Sequence, residues 1–433
     1  MSDLRTSGFK DVTRIAAARE RLVDAATPHE RIERVSLTAA DGRVLATSID
    51  ARRPVPHYAR AAMDGYAVRA ADTFGAGERS PEILRRAGTE ANEVAPGDAA
   101  RVHTGSELPD GADAVVMIER VEEVGEEIEV FSALAEGANV APVGEDVAAD
   151  QRLFDAGHRL RPSDLGLLKS TGVDELEVRE PPTVGVIPTG EELVQGEPSP
   201  GEVIETNGLT VSEYVDRWGG QARYREIVAD DPEALRVALQ RDLTKDVVVT
   251  TGGSSVGERD LVPDVVDELG EVLVHGVALR PGHPVALGVV EETPIIMLPG
   301  YPVACIVNAV QFLRPLLKYV GGLPRVPHPT TEASLTRKIE SEPGYKTFAR
   351  VRLERQKHDE NDGNDPDGDA AQVRETDDAS DEGGRPLATP TRASGSGVLS
   401  SVALADGWVT VPEEREGFAE GEIVPVEDWE YLA

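Results

Sequence analysis

Hydrophobic and polar positions change rhythm three times along the chain. Over residues 10–27, Val12, Ile15, Ala16, Leu22 and Val23 recur at helical spacing, which predicts an amphipathic helix. Residues 33–50 read as a strand, an Asp41-Gly42 turn, and a second strand or short helix. From about 80 to 160, short apolar runs (Arg101–Gly105, Asp113–Glu119, Ile128–Phe131) alternate with Gly and Pro turns, the pattern of an irregular β lobe. Pro162–Thr171 returns to a helical period, and the first helix is expected to pack against it.

Residues 183–320 behave differently. The apolar runs Thr183–Pro188, Ala222–Ala229, Val247–Thr251, Val285–Val290 and Ile295–Leu298 alternate with the helical patterns Leu209–Gly219, Pro232–Leu243, Leu261–Leu269 and Val303–Tyr319. That alternation predicts βαβ units and a doubly wound, mostly parallel sheet. Ligands of such sheets bind beyond the carboxyl ends of the strands. Those positions hold Thr189-Gly190-Glu191-Glu192, Asp230-Asp231, Gly252 to Ser255, and Pro299-Gly300-Tyr301-Pro302. Residues 330–355 and 386–430 carry short strands (Thr347–Leu353, Val398–Ala403, Gly407–Val411, Ile423–Val426) without a helical period, and read as a small β domain. Between them, residues 356–385 are Asp, Glu, Gly and Asn with almost nothing to bury, so a disordered acidic insertion is expected.

Length and charge narrow the class. A chain of 433 residues holds about three domains. A net charge of −35 argues against nucleic acid and anionic membranes as partners, and fits a strongly hydrated, halophile-like surface. The one cysteine, Cys305, excludes a disulfide framework and a Cys-rich zinc site. With no apolar signal region and no bilayer-length apolar run, a soluble cytoplasmic protein is expected.

The stretch Val247 to Asp260 carries the first chemical signal. A β-branched strand leads into a Gly-Gly-Ser-Ser loop and then a helix, so backbone N–H groups can cradle a phosphate. Asp260 beside such a phosphate implies a bridging cation, Mg²⁺. An ordinary Gly-rich βα turn reads the same way. Asp64 is equally a turn residue in Asp64-Gly65. Asp231 before Pro232 reads as a helix cap, which leaves Asp230 unexplained. Leu279-Arg280-Pro281-Gly282-His283-Pro284 is either a rigid turn with solvated charges or an oxyanion site on a Pro/Gly frame.

Taken together, Ala62-Met63-Asp64-Gly65-Tyr66-Ala67-Val68, Thr104-Gly105, Gly144-Glu145-Asp146, Pro188 to Glu192, Asp230-Asp231-Pro232, Thr251 to Asp260, Arg280 to Pro284 and Leu298 to Val303 stand in the order and spacing of the MoeA family. The chain resembles this family of molybdopterin molybdenumtransferases, related to the gephyrin E domain, from about residue 10 to its end, the acidic stretch excepted. The resemblance implies a helical linker region with a β lobe (residues 1–180, lobe about 55–145), a central molybdopterin-binding α/β domain (181–325) and a C-terminal β barrel (326–433). It implies Mg-dependent insertion of molybdate into adenylylated molybdopterin with release of AMP. A homodimer whose cleft is shared between subunits is implied, with a molybdopterin adenylyltransferase as a further partner.

The resemblance assigns roles residue by residue. Asp64, Asp146, Glu192, Asp230 and Asp260 match the functional acids, of which Asp230, Asp260 and Glu192 would face the metal. Thr104, Thr189, Gly190, Gly252, Gly253, Ser254, Ser255, Gly300 and Pro302 match the cofactor-binding positions. Arg280, His283, Arg350 and Ser396 match the molybdate site. The chain departs from the family at Arg280 and His283, which replace lysines, at Tyr301, which replaces an asparagine, at Ala304, which removes a hydroxyl, and at Arg60-Ala61. Two other readings use the same central domain: an adenylyltransferase or nucleotide pyrophosphatase, and a non-catalytic cofactor-binding scaffold.

Overall fold

The computed structural model describes residues 12–88, 92–253, 261–354, 384–391 and 397–431. Ser254, Ser255, Asp260, Ser396 and nearly all of the acidic stretch lie outside them. The chain forms two compact units, Ile32–Val178 and the combination of Met1–Arg31 with Arg179–Ala433.

Helix α1 (Ile15–Asp24) buries Ile15, Ala18 and Leu22. These join the core of the central sheet, and Thr13 extends the attachment by donating its N–H to Gly276 O at 3.0 Å. Helix α2 (Pro162–Ser170) instead buries Leu168 beside Leu37, Leu45 and Leu176 in the other unit. Each buries its apolar stripe in the core of its own unit.

The Ile32–Val178 unit contains a six-stranded sheet. Its strands are β1 (Gly65–Val68), β2 (Glu82–Arg86), β3 (Asp98–Val102), β4 (Ala114–Met117), β5 (Val121–Val124) and β6 (Glu127–Val130), in the order β4-β1-β3-β2-β6-β5. Tyr66, Val68, Leu84, Val116 and Ile128 form its core. Gly65 is required by close approach, because a Cβ there would sit 1.8 Å from Val116 O.

The second unit is built on another six-stranded sheet. In chain order its elements are β7 (Thr183–Pro188), α3 (Asn207–Arg217), β8 (Gln221–Tyr224), α4 (Pro232–Asp242), β9 (Val247–Thr251), α5 (Leu261–Leu269), β10 (Glu271–His275), β11 (Ala286–Val290), β12 (Thr293–Leu298) and α6 (Pro302–Val320). The strand order is β8-β7-β9-β12-β11-β10, parallel from β8 to β12 and antiparallel at β11 and β10. Strand β9 is buried at every residue because both faces are covered. Val247 and Val249 face α1, α3 and α6, whereas Val248 faces Leu235, Leu239, Val262 and Val266 of α4 and α5. Helix α6 is the one described helix long and apolar enough to cross a membrane, and it is mostly buried in this core. Edge strand β10 escaped the sequence reading, since its Glu271-Val272-Leu273-Val274-His275 is mostly half-buried.

Five strands close a barrel behind it: β13 (Thr330–Leu335), β14 (Lys346–Glu354), β15 (Leu387–Pro390), β16 (Gly407–Val411) and β17 (Ile423–Glu427). The pairings run β14-β15-β13-β17-β16 and back to β14. Trp408 and Trp429 stack at 4.5 Å and, with Phe348 and Val402, carry the barrel into the core of the central sheet. Truncating Trp408 to Ala would cost about 3–5 kcal/mol. The expected strand Val398–Ala403 is instead a one-turn helix, Ser400–Ala403. Burial of Val402 and the 2.7 Å bond from Ser401 Oγ to Val398 O favour the turn over extension.

Candidate active site

The carboxyl ends of β7, β9 and β12 converge by backbone contact. Thr189 N–H donates to Thr251 O at 2.9 Å, and Gly252 N–H donates to Leu298 O at 3.0 Å. Gly252 has φ +103°, and a Cβ there would lie 2.2 Å from Thr189 O. Gly253, at φ +64°, would place a Cβ 2.8 Å from Thr189 Oγ1 and 3.8 Å from Asp230 Oδ1. Only glycine lets these loop ends meet, as required for close approach to a phosphate. Asn207, the first residue of α3, ties in the third loop by donating Nδ2 to Gly300 O at 2.7 Å.

Asp230 and Asp231 divide the labour at the end of the next loop. Asp231 caps α4, its Oδ1 accepting from Ala234 N–H at 2.9 Å ahead of Pro232. Asp230 points inward, and its Oδ1 is buried with no hydrogen-bond donor among the described residues. Burial raises its pKa. The Glu191 N–H opposes this, and the charges of Glu192 and Glu191 add to the rise. Thr189 Oγ1 and Thr251 Oγ1 are also buried without described partners. Orphan oxygens beside further carboxylates fit a cation and the anion it would bridge. Among the described residues no set of three metal-ligating side chains is assembled. The trio proposed from sequence would be completed by Asp260.

These loops form one side of a cleft of about 1460 Å³. It is lined by Glu192, Asp230, Gly252, Gly253, Gly300 and Pro302, and on the other side by Arg280, His283, Lys338, Glu342 and Arg350. Arg350, on β14, is 7% exposed. Its Nη1 donates to Phe348 O at 3.2 Å, while its Nε is buried without a described acceptor. Burial alone lowers its pKa. A buried guanidinium with no carboxylate partner among the described residues suits an anion. Arg280 is more open. Its Nη2 lies 2.5 Å from Glu342 Oε2, and its guanidinium carbon lies 4.5 Å from the Tyr345 ring centre. Burial, and then Arg280, push the His283 pKa down, with Glu342 opposing, so His283 serves near neutrality as an uncharged polar group.

Thr189 and Gly190 thus lie at the convergent strand ends, and nine of the residues picked from sequence line this one cleft: Glu192, Asp230, Gly252, Gly253, Arg280, His283, Gly300, Pro302 and Arg350. Asp64, Thr104 and Asp146 belong to the Ile32–Val178 unit. There Asp64 accepts two hydrogen bonds from Thr104, while Asp146 is exposed. Sequence reading missed Asn207, Lys338 and Glu342. Asn207 opens an amphipathic helix and Glu342 a Pro-Gly turn, settings that carry no ligand signal by themselves.

Known families match along the same lines. The N-terminal region of MoeA (domain I and II) matches residues 13–172, a probable molybdopterin binding domain matches 185–319, and the C-terminal region of MoeA (domain IV) matches 376–429. A relative from Methanocaldococcus jannaschii, named for molybdopterin biosynthesis, is 34% identical over 94% of both chains. Molybdopterin molybdenumtransferase 2 of Mycobacterium tuberculosis is 34% identical over 74% of this chain and 83% of its own. Two crystal structures of the molybdopterin biosynthesis MoeA protein of Pyrococcus horikoshii superpose with TM-scores of 0.78 and 0.76 at 34% and 29% identity, covering 97% and 96% of this chain and 99% of each of theirs. The chain belongs to the MoeA family.

Proposed function

We infer that this chain is a molybdopterin molybdenumtransferase of molybdenum cofactor biosynthesis, which joins molybdate to adenylylated molybdopterin and releases AMP. The observation that carries the reading is the two-sided cleft. One side offers glycine loops and an orphan carboxylate, the other a buried guanidinium with no carboxylate partner among the described residues. The glycine side suits the phosphate of the adenylylated substrate, with Ser254 and Ser255 continuing the loop. Arg350, Arg280, His283 and Ser396 suit a tetrahedral dianion.

Cleaving the phosphoanhydride builds negative charge on the departing AMP. A Mg²⁺ held by Asp230, Glu192 and Asp260 would neutralise that charge. The chain's own groups fix the two substrates: the backbone N–H of Gly253 orients the phosphate, the Gly252 N–H being committed to Leu298 O, and Arg350 presents the oxyanion from the barrel. The substrate itself requires a preceding adenylyl transfer to molybdopterin, the step of an adenylyltransferase partner.

Asp64, Thr104 and Asp146 complete the cleft from the second subunit of a homodimer in this reading. Mixing inactive Asp64→Asn and Asp230→Asn subunits is then expected to restore about a quarter of wild-type activity, because half the dimers carry one intact site. No recovery after subunit exchange would remove the shared cleft.

The main test supplies adenylylated molybdopterin, molybdate and Mg²⁺. AMP release that requires molybdate and disappears in Asp260→Ala and Asp230→Ala supports insertion. Molybdate-independent hydrolysis points to a pyrophosphatase, and tight binding without turnover to a scaffold.

A further inference from the structure

The two arginines of the cleft are not in the same state. Arg350 is buried with no carboxylate partner among the described residues, whereas Arg280 is held by Glu342 at 2.5 Å. Both partners of that pair are anchored. The two-residue strand Leu279–Arg280 pairs with β14, and Lys346 N–H donates to Ala278 O at 3.0 Å. Glu342 opens the turn Glu342-Pro343-Gly344-Tyr345, closed by Tyr345 N–H donating to Glu342 O at 3.1 Å, with Gly344 at φ +89°. Ser341 N–H and Gly344 N–H fasten the turn to Glu416 O and Glu413 O at 2.9 and 2.7 Å. The carboxylate is thus presented to Arg280 by the backbone. Tyr345, at the end of the same turn, covers the other side of the guanidinium.

The pair is nevertheless open to exchange. The Arg280 and Glu342 side chains are 45% and 55% exposed, and both line the cleft. An ion pair this exposed is weak enough for a better anion to replace it. A tetrahedral dianion carries more charge and more acceptor oxygens than the Glu342 carboxylate, and Arg350 lines the same cleft as a second donor for it.

We propose that Glu342 is an internal competitor for the oxyanion, neutralising Arg280 until molybdate takes its place and holding molybdate affinity below what two free arginines would give. This rests on the reading of Arg280 and Arg350 as the molybdate site. A carboxylate that is displaced rather than removed also returns when the metal leaves, which favours release of the oxyanion to the acceptor sulfurs over retention in the cleft.

The test titrates molybdate alone into the full-length protein by calorimetry. Glu342→Gln, on an exposed turn, is expected to bind molybdate about fivefold or more tightly than wild type. In an Arg280→Gln background the same substitution is expected to give little or no gain, a coupling that a merely structural role would not produce. Equal or weaker binding by Glu342→Gln overturns the proposal, as does a full gain in the absence of Arg280. If Arg350→Gln and Arg280→Gln both bind molybdate as wild type does, the oxyanion site itself is misassigned. Loss of binding in Arg350→Gln without a gain in Glu342→Gln refutes the competitor alone.

Discussion

Asp64 Oδ1 accepts from both donors of Thr104, the backbone N–H at 2.7 Å and the hydroxyl at 2.8 Å. The two residues lie on different loops of the lobe sheet, just before β1 and just after β3, strands that pair antiparallel. The Thr104 N–H, and then its hydroxyl, hold the Asp64 carboxyl below the usual range, so it stays ionised through any neutral or mildly acidic assay. Thr104→Val keeps the N–H bond and removes the hydroxyl bond. The Asp64 pKa should rise, read by carbon NMR titration of the carboxyl. Activity should fall by about tenfold if Asp64 must be held in this orientation. An unshifted titration would mean that the hydroxyl bond does not form in solution.

Asp230 is a stability cost retained at the site. Its charge is partly buried, one oxygen lacks a described donor, and Glu191 and Glu192 repel it. Asp230→Asn removes the charge without changing the shape. The thermal midpoint without Mg²⁺ should rise by about 2 °C. Mg-dependent AMP release should fall by about 10²-fold or more. A lowered midpoint would show that the carboxylate is a structural acceptor.

The glycine loops separate a backbone requirement from an open position. Gly252→Ala forces a Cβ to within 2.2 Å of Thr189 O at φ +103°, so a loss of about 1–3 kcal/mol in denaturant unfolding is expected, together with loss of activity. At Gly300 the nearest atom is Gly252 Cα at 3.4 Å, and φ is not positive. Gly300→Ala should therefore change stability little, and any loss of activity there reports substrate clearance. Equal destabilisation by the two substitutions would contradict this geometry.

Acid should weaken the Ile32–Val178 unit through Asp164. This residue is 4% exposed. Burial would raise its pKa, but hydrogen bonds from the Arg161 and His158 side chains and the Arg161 N–H win and bring it down to about 2. A depressed carboxyl pKa stabilises the fold above the unfolded value, and that contribution is lost as pH falls through the folded one. The window is therefore from about pH 4 down to about 2, worth about 2 kcal/mol. Asp164→Asn should lower stability at pH 7 by a similar amount and flatten that part of the acid profile, as followed by urea unfolding at fixed pH. A profile identical to wild type between those limits would place the acid sensitivity elsewhere.

Much of the architecture could be read directly. The Val247–Thr251 run had to be a strand buried on both faces, and Asp231-Pro232 had to start a helix, because these are local effects of branching, burial and capping. The three-layer order followed from the alternation of strands and helices. The turns of direction at β11 and β10 did not, because hydrogen-bond polarity between strands leaves no mark on composition. The Val398–Ala403 run failed as a strand because Val402 found its burial by turning.

The sequence by itself determined which residue types occupy the strand ends: small, acidic or basic groups where loops must be tight or a ligand must be held. It separated Asp230 from Asp231, since a cap explains one and not the other. Tertiary structure alone decided how the charges are used. Arg280 and Arg350 are the same residue type 70 positions apart in the chain. Yet barrel closure buries Arg350 with no carboxylate partner among the described residues, while a pinned turn delivers Glu342 to Arg280. A charge's burial and its partner depend on the whole fold around it, and no local stretch of sequence contains them.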